Sequence, residues 1–576
     1  MNYIKELSNK ITDIFNKLGY KVEKVELKIS DRKDLGDYQI NDCMPLASTY
    51  HKSPRDIASE VVTELEKDNS FTNINIAGPG FINVTLSDEY LIDTINKIIN
   101  DKNLLIEKLP KKKVLIDYGG ANVAKALHVG HLRSANIGEA LKRLATLLGN
   151  EVLGDAHLGD YGRPLGLVIR EIKERYPDSK YFNDYNGEDD INITNKDLEE
   201  LYPIASQKAK ADEKYLNEAR EINNKIQNKE KGYFELYKKI VEISKEETKK
   251  VYDNINTNYE IWNGESDSLK YLDELNKIVE DKKVLRESEG AKVIDVAEDT
   301  DKIEIPPLLY IKSDGTISYE TTDLTTILQR KKEFAPDEEI YITDFRQTLH
   351  FTQVFRAAKK LGLVSDGELS FYAFGTMNGT DGKPFKTRDG GVLQLKKLLE
   401  LVYNETIKRI DFTKMEEDEG KEIAKTVAIA AIKYADLVPF RGTDYIFDIE
   451  KFTDIEGKTG PYILYSNIRM KSLLSKANDI TIDNIYTIHK DLREIYLLVL
   501  NLANILINSY EQKSLNDITD YLYNICSLFN SFYAKNNVLK EENIDLKKSY
   551  LATINLVYYI TNLLLDTLAI KIPEKM

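Results

Sequence analysis

A multidomain α/β architecture is the expectation for this chain: a small N-terminal α+β module, a Rossmann-like parallel-sheet domain with a helical insertion, and a C-terminal α-helical bundle. Three observations carry it. A short apolar run, Val114-Leu115-Ile116, precedes apolar residues at helical spacing (Ile137, Leu141, Leu144, Leu148), a Gly149 stop and a second run, Glu151-Val152-Leu153. That is the pattern of a strand–helix–strand unit. Before residue 100, strand alternation and helical periodicity mix within a stretch of ordinary domain size. From Leu398 onward helical periodicity dominates. The 576 residues allow roughly two to four domains, each with its own core, and 42% hydrophobic with 30% charged residues is an ordinary globular composition.

In the first module, residues 1–105, Ile4, Leu7, Ile11, Ile14, Phe15 and Leu18 predict an amphipathic helix stopped at Gly19, and Val25, Leu27 and Ile29 alternate as a strand. Ser53-Pro54 reads as a helix start with Ile57, Val61 and Leu65 inward. Ile74 and Ile76, a Gly78-Pro79-Gly80 turn, and Ile82, Val84 and Leu86 predict two further strands before a closing helix on Leu91, Ile95 and Ile98. Residues 101–113, ending in Pro110 and three lysines, read as a solvated linker. The start of the chain is charged and helical in pattern, unlike a secretion signal, and Asn501 and Asn504 break the 497–507 apolar run, so neither a membrane span nor a membrane partner is expected. Cys43 and Cys526 are far apart, which argues for a reducing compartment and against a disulfide framework or a structural zinc site. A net charge of −15 (80 Lys and Arg against 95 Asp and Glu) excludes a basic nucleic-acid coat. It leaves room for an RNA ligand, because the local sign of a patch decides.

The parallel-sheet domain is assigned residues 106–400, with a charged helical segment inserted at about 177–260. His128-Val129-Gly130-His131 falls where the first strand hands over to a helix, a place where phosphate can rest on helix N–H groups. Two imidazoles can donate to phosphate oxygens there, and Gly130 lets the backbone come close. The same spacing fits one capping and one packing histidine at a helix start, and the stretch alone does not choose. A third histidine lies in His157-Leu158-Gly159-Asp160-Tyr161-Gly162, and Trp262-Asn263-Gly264-Glu265-Ser266 breaks the insertion's helical pattern. Residues 305–310 and 339–342 read as strands, as do 371–374; between the first two, Tyr319 and Asp323 stand one helical turn apart and share a face. The glycine-bounded loop 382–390 carries Lys383, Lys386 and Arg388. Such loops are more often solvated than functional, but beside a phosphate cradle this one is a candidate grip for a polyphosphate leaving group. In the bundle, residues 401–576, Gly460-Pro461 opens a helix with Tyr462, Tyr465 and Ile468 on one face beside Arg469 and Lys471, which fits a core with a wet rim or an RNA-facing surface.

Taken together, several distant stretches resemble one family: over essentially its full length the chain is similar to the class I arginyl-tRNA synthetases. Residues 117–166, with Asn122, Lys125 and His128-Val129-Gly130-His131-Leu132-Arg133-Ser134, resemble the family's first signature region. Lys383-Pro384-Phe385-Lys386-Thr387 resembles its version of the Lys-Met-Ser-Lys-Ser loop, and residues 341–355, with Asp344, Arg346, Gln347, His350 and Phe351, a third block. Gly460-Pro461-Tyr462 and the closing Ile572-Pro573-Glu574-Lys575-Met576 resemble the anticodon-binding domain. Gly36-Asp37-Tyr38 and Ala77-Gly78-Pro79-Gly80-Phe81-Ile82 resemble the N-terminal module, which in the family reaches the tRNA elbow. The two signatures alone say class I synthetase or related nucleotidyl transferase; the N-terminal module and the third block make arginine specific.

The resemblance implies ATP-dependent ligation of L-arginine to its tRNA through an arginyl-adenylate, with release of AMP and pyrophosphate, in a monomeric, cytoplasmic enzyme whose activation step waits for tRNA. It implies His128 and His131 on the ATP phosphates with Gly130 and Lys125 beside them, and Lys383 and Lys386 on the departing pyrophosphate. It implies Glu265 and Asp323 on the guanidinium, next to Tyr319, and Asn122 and Gln347 on the substrate's carboxylate and amine. Mg²⁺ would arrive with ATP, with no dedicated metal ligands and no tightly bound cofactor. The chemistry suits these residue types. The attacking carboxylate is already charged, so the work is positioning and charge stabilisation. A guanidinium is a planar fork of donors that pairs best with carboxylates. The chain departs from the family at Gly120-Ala121, where Ser-Pro is common, and at Tyr161 and Pro164, where Trp and Gln are common.

Overall fold

The structure, a computed structural model, describes residues 2–30, 32–385, 393–477 and 480–576; Lys386 and Arg388 lie outside the described residues. In the N-terminal module, strands Leu27–Ile29, Tyr38–Ile40, Phe81–Leu86 and Phe71–Ala77 form one antiparallel sheet in that order. Helices Tyr3–Lys17, Pro54–Leu65 and Asp88–Ile99 cover it. The local rules explain these elements. Ser53 caps its helix by accepting from the Asp56 N–H, with Pro54 in the first turn, and the apolar stripe Ile57, Val61, Leu65 is buried. Gly80 has φ +153°, and a Cβ there would stand 2.7 Å from the Pro54 carbonyl carbon, so the turn that sets this register needs glycine.

The central sheet is parallel, with spatial order Leu369–Phe374, Glu338–Asp344, Lys113–Tyr118, Glu151–Asp155. Val114 through Tyr118 are all buried, as the unbroken apolar run requires. The helix Val129–Leu147 crosses over between the two strands read from sequence and lies so close that a Cβ on Gly138 would stand 2.2 Å from the Tyr118 ring. From the first strand the chain passes to Glu151–Asp155 on one side and returns as Glu338–Asp344 on the other. That reversal opens a crevice at the carboxyl ends of the strands. The insertion contributes helices Asn195–Ala211, Glu213–Gln227 and Lys231–Asn254, packed with Arg163–Arg175.

The 305–310 run corrects one detail of the strand reading. Its ordered part, Leu308–Ile311, belongs to a separate antiparallel sheet with Leu285–Ser288 and Ala291–Ile294. The hairpin that builds this sheet turns through Glu289 (φ 51°) and Gly290 (φ 80°), a two-residue turn whose first residue is not a usual turn former.

Helices Gly460–Ser475, Arg493–Gln512, Asn516–Lys535 and Ile544–Thr567 form the bundle. One stretch, Lys490–Gln512, has the length and mean hydropathy (1.2) of a bilayer span despite Asn501 and Asn504, which corrects the expectation that none would. Half of that apolar window is buried against the rest of the chain. The bundle also receives the N-terminal module directly. Arg493 donates to both oxygens of Asp37 (3.1 and 2.7 Å), to Asp88 (2.8 Å) and to the Leu86 carbonyl.

Candidate active site

The crevice at the sheet's carboxyl edge is a cavity of about 420 Å³. Its wall draws on the loop after the first strand (residues 119–122), the histidine turn, the 157–159 turn, Glu265, the Tyr319–Glu333 helix and residues 341–351. Of the residues singled out in the sequence, Asn122, His128, Gly130, His131, Glu265, Tyr319, Asp323 and Gln347 all border it.

The histidine turn is organised by its own backbone. His128 is the N-cap of Val129–Leu147, and its Nδ1 accepts the Gly130 N–H at 3.1 Å; His131 Nδ1 accepts the His128 N–H at 3.0 Å. The two rings lie 3.9 Å apart between centroids. The capping uses Nδ1 of each ring, so it does not compete with a phosphate contact through Nε2. With both Nδ1 atoms accepting, the proton of a neutral ring sits on Nε2, which becomes a donor. Burial keeps the rings neutral: it pushes His131 down to about 3, with His128 adding to the effect, and lowers His128, with Arg346 adding there. A Cβ at Gly130 would lie 3.0 Å from His128 Cε1, so the glycine makes room for the cap.

Glu265 opens a short helix, Glu265–Ser268, and its backbone N–H donates to the Leu158 carbonyl at 2.9 Å. Among the described residues its carboxylate has no hydrogen-bond partner and no counter-cation. Burial, with Asp323 and Asp160 nearby, raises it to about 8. Asp160 braces this turn by accepting from Ser266 N (2.9 Å), Ser266 Oγ (2.6 Å) and Tyr237 OH (3.0 Å). Asp323 comes from the first turns of the Tyr319–Glu333 helix, and its Oδ2 lies 2.6 Å from His350 Nε2. Seven residues further along that helix, Arg330 is fully buried and donates to Asp117 (2.5 Å) and Asp155 (2.7 Å), with Glu339 at 3.6 Å. This knot ties the helix bearing Tyr319 and Asp323 to three strands of the parallel sheet.

Two cations singled out as phosphate contacts are not in the wall. Lys125 Nζ stands 4.4 Å from the Tyr202 ring centroid, because Ala124 adopts φ 59° and donates its N–H to Ser244 of the insertion, which turns the next side chain that way. Lys383 lies in an exposed turn in which its N–H donates to Asp381 and its carbonyl accepts from Gly379. The base of that loop nevertheless adjoins the histidines. Leu393 N–H donates to Phe385 O, and the same limb pairs with the histidine turn through Val129 N–H to Leu393 O (3.2 Å) and Leu395 N–H to Leu127 O (2.8 Å). At the departure Gly120, a Cβ would lie 2.8 Å from the His157 carbonyl oxygen, so that carbonyl fills the space a larger residue would take.

His157, Asp160, Arg330, Arg346 and His350 complete the site without having been assigned a role from sequence. His350 and Arg346 carried a signal in the third block, and His157 and Asp160 in the 157–162 turn; Arg330 reaches the site through Asp117 and Asp155, distant in the chain.

Residues 94–449 match the family model described as tRNA synthetases class I (R), catalytic domain. Residues 2–86 match the arginyl tRNA synthetase N terminal domain, and residues 463–576 the DALR anticodon binding domain. The chain is 42% identical to an arginine–tRNA ligase of Agathobacter rectalis, covering 99% of both chains, and 40% identical to one of Alkaliphilus oremlandii, covering 100% of this chain and 99% of the other. In fold it is similar to a crystal structure of arginyl-tRNA synthetase from Plasmodium falciparum, with TM-score 0.81, 23% identity, and 100% and 99% of the two chains covered.

Proposed function

The chain belongs to the arginyl-tRNA synthetase family, and from that premise we propose how its residues divide the work. The protein charges tRNA with arginine in an ATP-dependent reaction. In the first step a carboxylate oxygen of arginine attacks the α-phosphorus of ATP, the bond to the bridging oxygen breaks, and arginyl-adenylate and pyrophosphate form. In the second, a hydroxyl of the tRNA's terminal ribose attacks the arginyl carbonyl and AMP leaves.

In our reading the Nε2–H groups of His128 and His131 donate to the phosphate oxygens and stabilise the charge that builds there, with the approach permitted by Gly130. Lys125, Lys383 and Lys386 join the phosphates in the ATP-bound state, and Mg²⁺ enters as the ATP complex. Glu265 and Asp323 take the guanidinium against Tyr319, while Asn122 and Gln347 orient the carboxylate and amine. Residues 1–105 carry the tRNA elbow contact, 106–400 the chemistry and 401–576 the anticodon contact. We take the enzyme to act as a monomer in the cytoplasm.

One observation carries this assignment: two neutral imidazoles and two carboxylates, drawn from three separate segments, border a single cavity at the reversal point of a parallel sheet. The test is Asp323→Asn. Losing one partner of a buried charged hydrogen bond costs about 2–5 kcal/mol, so the KM for arginine rises by more than an order of magnitude while that for ATP stays put. Equal losses for both substrates would assign Asp323 to the fold.

A further inference from the structure

Among the described residues the Asp323 side chain has one hydrogen-bond partner, and that partner is itself unusual. His350 reaches it from the neighbouring helix Thr348–Leu361, with Nε2 2.6 Å from Oδ2. The imidazole lies between aromatic rings, 5.2 Å from Tyr319 and 5.1 Å from Phe351, and its side chain is 13% exposed. Its other nitrogen, Nδ1, is buried with no partner among the described residues. Buried polar groups in folded proteins are ordinarily satisfied. A buried histidine that makes its one hydrogen bond to a carboxylate facing the cavity is poorly explained as packing.

We propose that His350 is a positioning residue for arginine selection: its Nε2–H pins one oxygen of Asp323 and so holds the other, Oδ1, ready for a guanidinium N–H. The inference rests on the assignment of Asp323 to the guanidinium. Three physical arguments support it. A carboxylate turns easily about its terminal torsion, and an arginine fork needs a fixed carboxylate plane; holding one oxygen removes that freedom before the substrate arrives. Among the described residues Asp323 Oδ1 makes no hydrogen bond, so the pinning leaves it available. Finally, Glu265 faces the same pocket, and a donor on Oδ2 offsets the repulsion that would otherwise turn Asp323 away. Burial alone would depress the imidazole, but Asp323, with Glu320 behind it, lifts it above the ordinary histidine value. In either charge state Nε2 carries the proton, because a carboxylate oxygen only accepts.

The experiment pairs two replacements. His350→Phe keeps a ring between Tyr319 and Phe351 and removes the donor; His350→Gln keeps a donor. A hydrogen bond to a charged group is worth enough that the KM for arginine rises roughly tenfold to a hundredfold in the phenylalanine variant. The KM for ATP and the melting temperature stay unchanged, and the glutamine variant recovers most of the loss. In an Asp323→Asn background the phenylalanine replacement adds little, because both changes remove one unit. Arginine binding by calorimetry gives the same comparison where charging is too slow, and His350→Asn, too short to reach Asp323, replaces the phenylalanine variant if that one does not fold. An unchanged arginine KM in His350→Phe, arginine and ATP constants rising together, or penalties that multiply in the double variant would each overturn the proposal. If Asp323→Asn itself spares arginine, the site assignment fails instead.

Discussion

With Glu265 on the guanidinium, as proposed, arginine use depends on pH. Burial beside two other acids raises its pKa to about 8 in the empty pocket, whereas the guanidinium wants the carboxylate. Below that pH the free site holds a proton that arginine must expel, so the arginine KM falls as pH rises toward and through 8, and binding at pH 7 releases protons. Calorimetry in buffers of different ionisation enthalpy measures the release; Glu265→Gln removes both the release and the pH step, and a zero proton count in the native enzyme would contradict the assignment. The histidines contribute no such step, since His131 is held near 3 by burial and neither ring needs to charge. Gly130→Ala tests their geometry. The added methyl, 3.0 Å from His128 Cε1, moves the ring off its cap, and misplacing a catalytic group by a fraction of an ångström to one ångström lowers kcat by roughly tenfold to a hundredfold. A fully active alanine variant would show that the ring position is not critical. The histidine turn was legible in the sequence from residue type and short spacing, whereas Glu265 and Asp323 were reached only through the resemblance to the family. The roles of Asp160 and Arg330 were not legible, because Asp160 acts through Tyr237 and Ser266, and Arg330 through Asp117 and Asp155, on segments distant in the chain.

The helix Tyr319–Glu333 is placed by Arg330. One guanidinium faces Asp117, Asp155 and Glu339 in the interior, and burial already raises Glu339 to about 7. Removing the cation leaves buried acids uncompensated, so Arg330→Met lowers stability by about 3–5 kcal/mol in urea unfolding. In the variant the acids' folded pKa values lie above their unfolded ones. The remaining stability is therefore greatest at low pH and falls as pH rises. A variant as stable as the native protein would mean that the knot is dispensable. The one-turn spacing of Tyr319 and Asp323 pointed to a helix here from sequence, but its docking depends on charges on three strands.

Arg493 joins the two ends of the chain by gripping Asp37, Asp88 and the Leu86 carbonyl from the bundle. The Asp37 pair is mostly buried, with side-chain exposures of 21% and 10%. Arg493→Ala costs about 2 kcal/mol or more by removing the counter-charge of Asp37, which is left with the Leu86 N–H at 2.8 Å, and under the proposed division of labour it raises the KM for tRNA while leaving that for ATP. Limited proteolysis checks the same point: the module is cleaved from the bundle sooner in the variant, and equal digestion rates would argue against the clasp.

The site residues were named through the family resemblance; periodicity and residue type sufficed for the module, the first strand–helix–strand unit, the helical insertion and the bundle. These elements rest on local properties: a 3.6- or 2-residue repeat, or a cap. The antiparallel sheet of residues 285–311, the outward turn of Lys125, the Arg330 knot and the hold of His350 on Asp323 came from packing. Each depends on a contact between segments whose separation along the chain leaves no repeat to read, and on burial, which sets the charge states of Glu265 and His131 and cannot be known before the chain is folded.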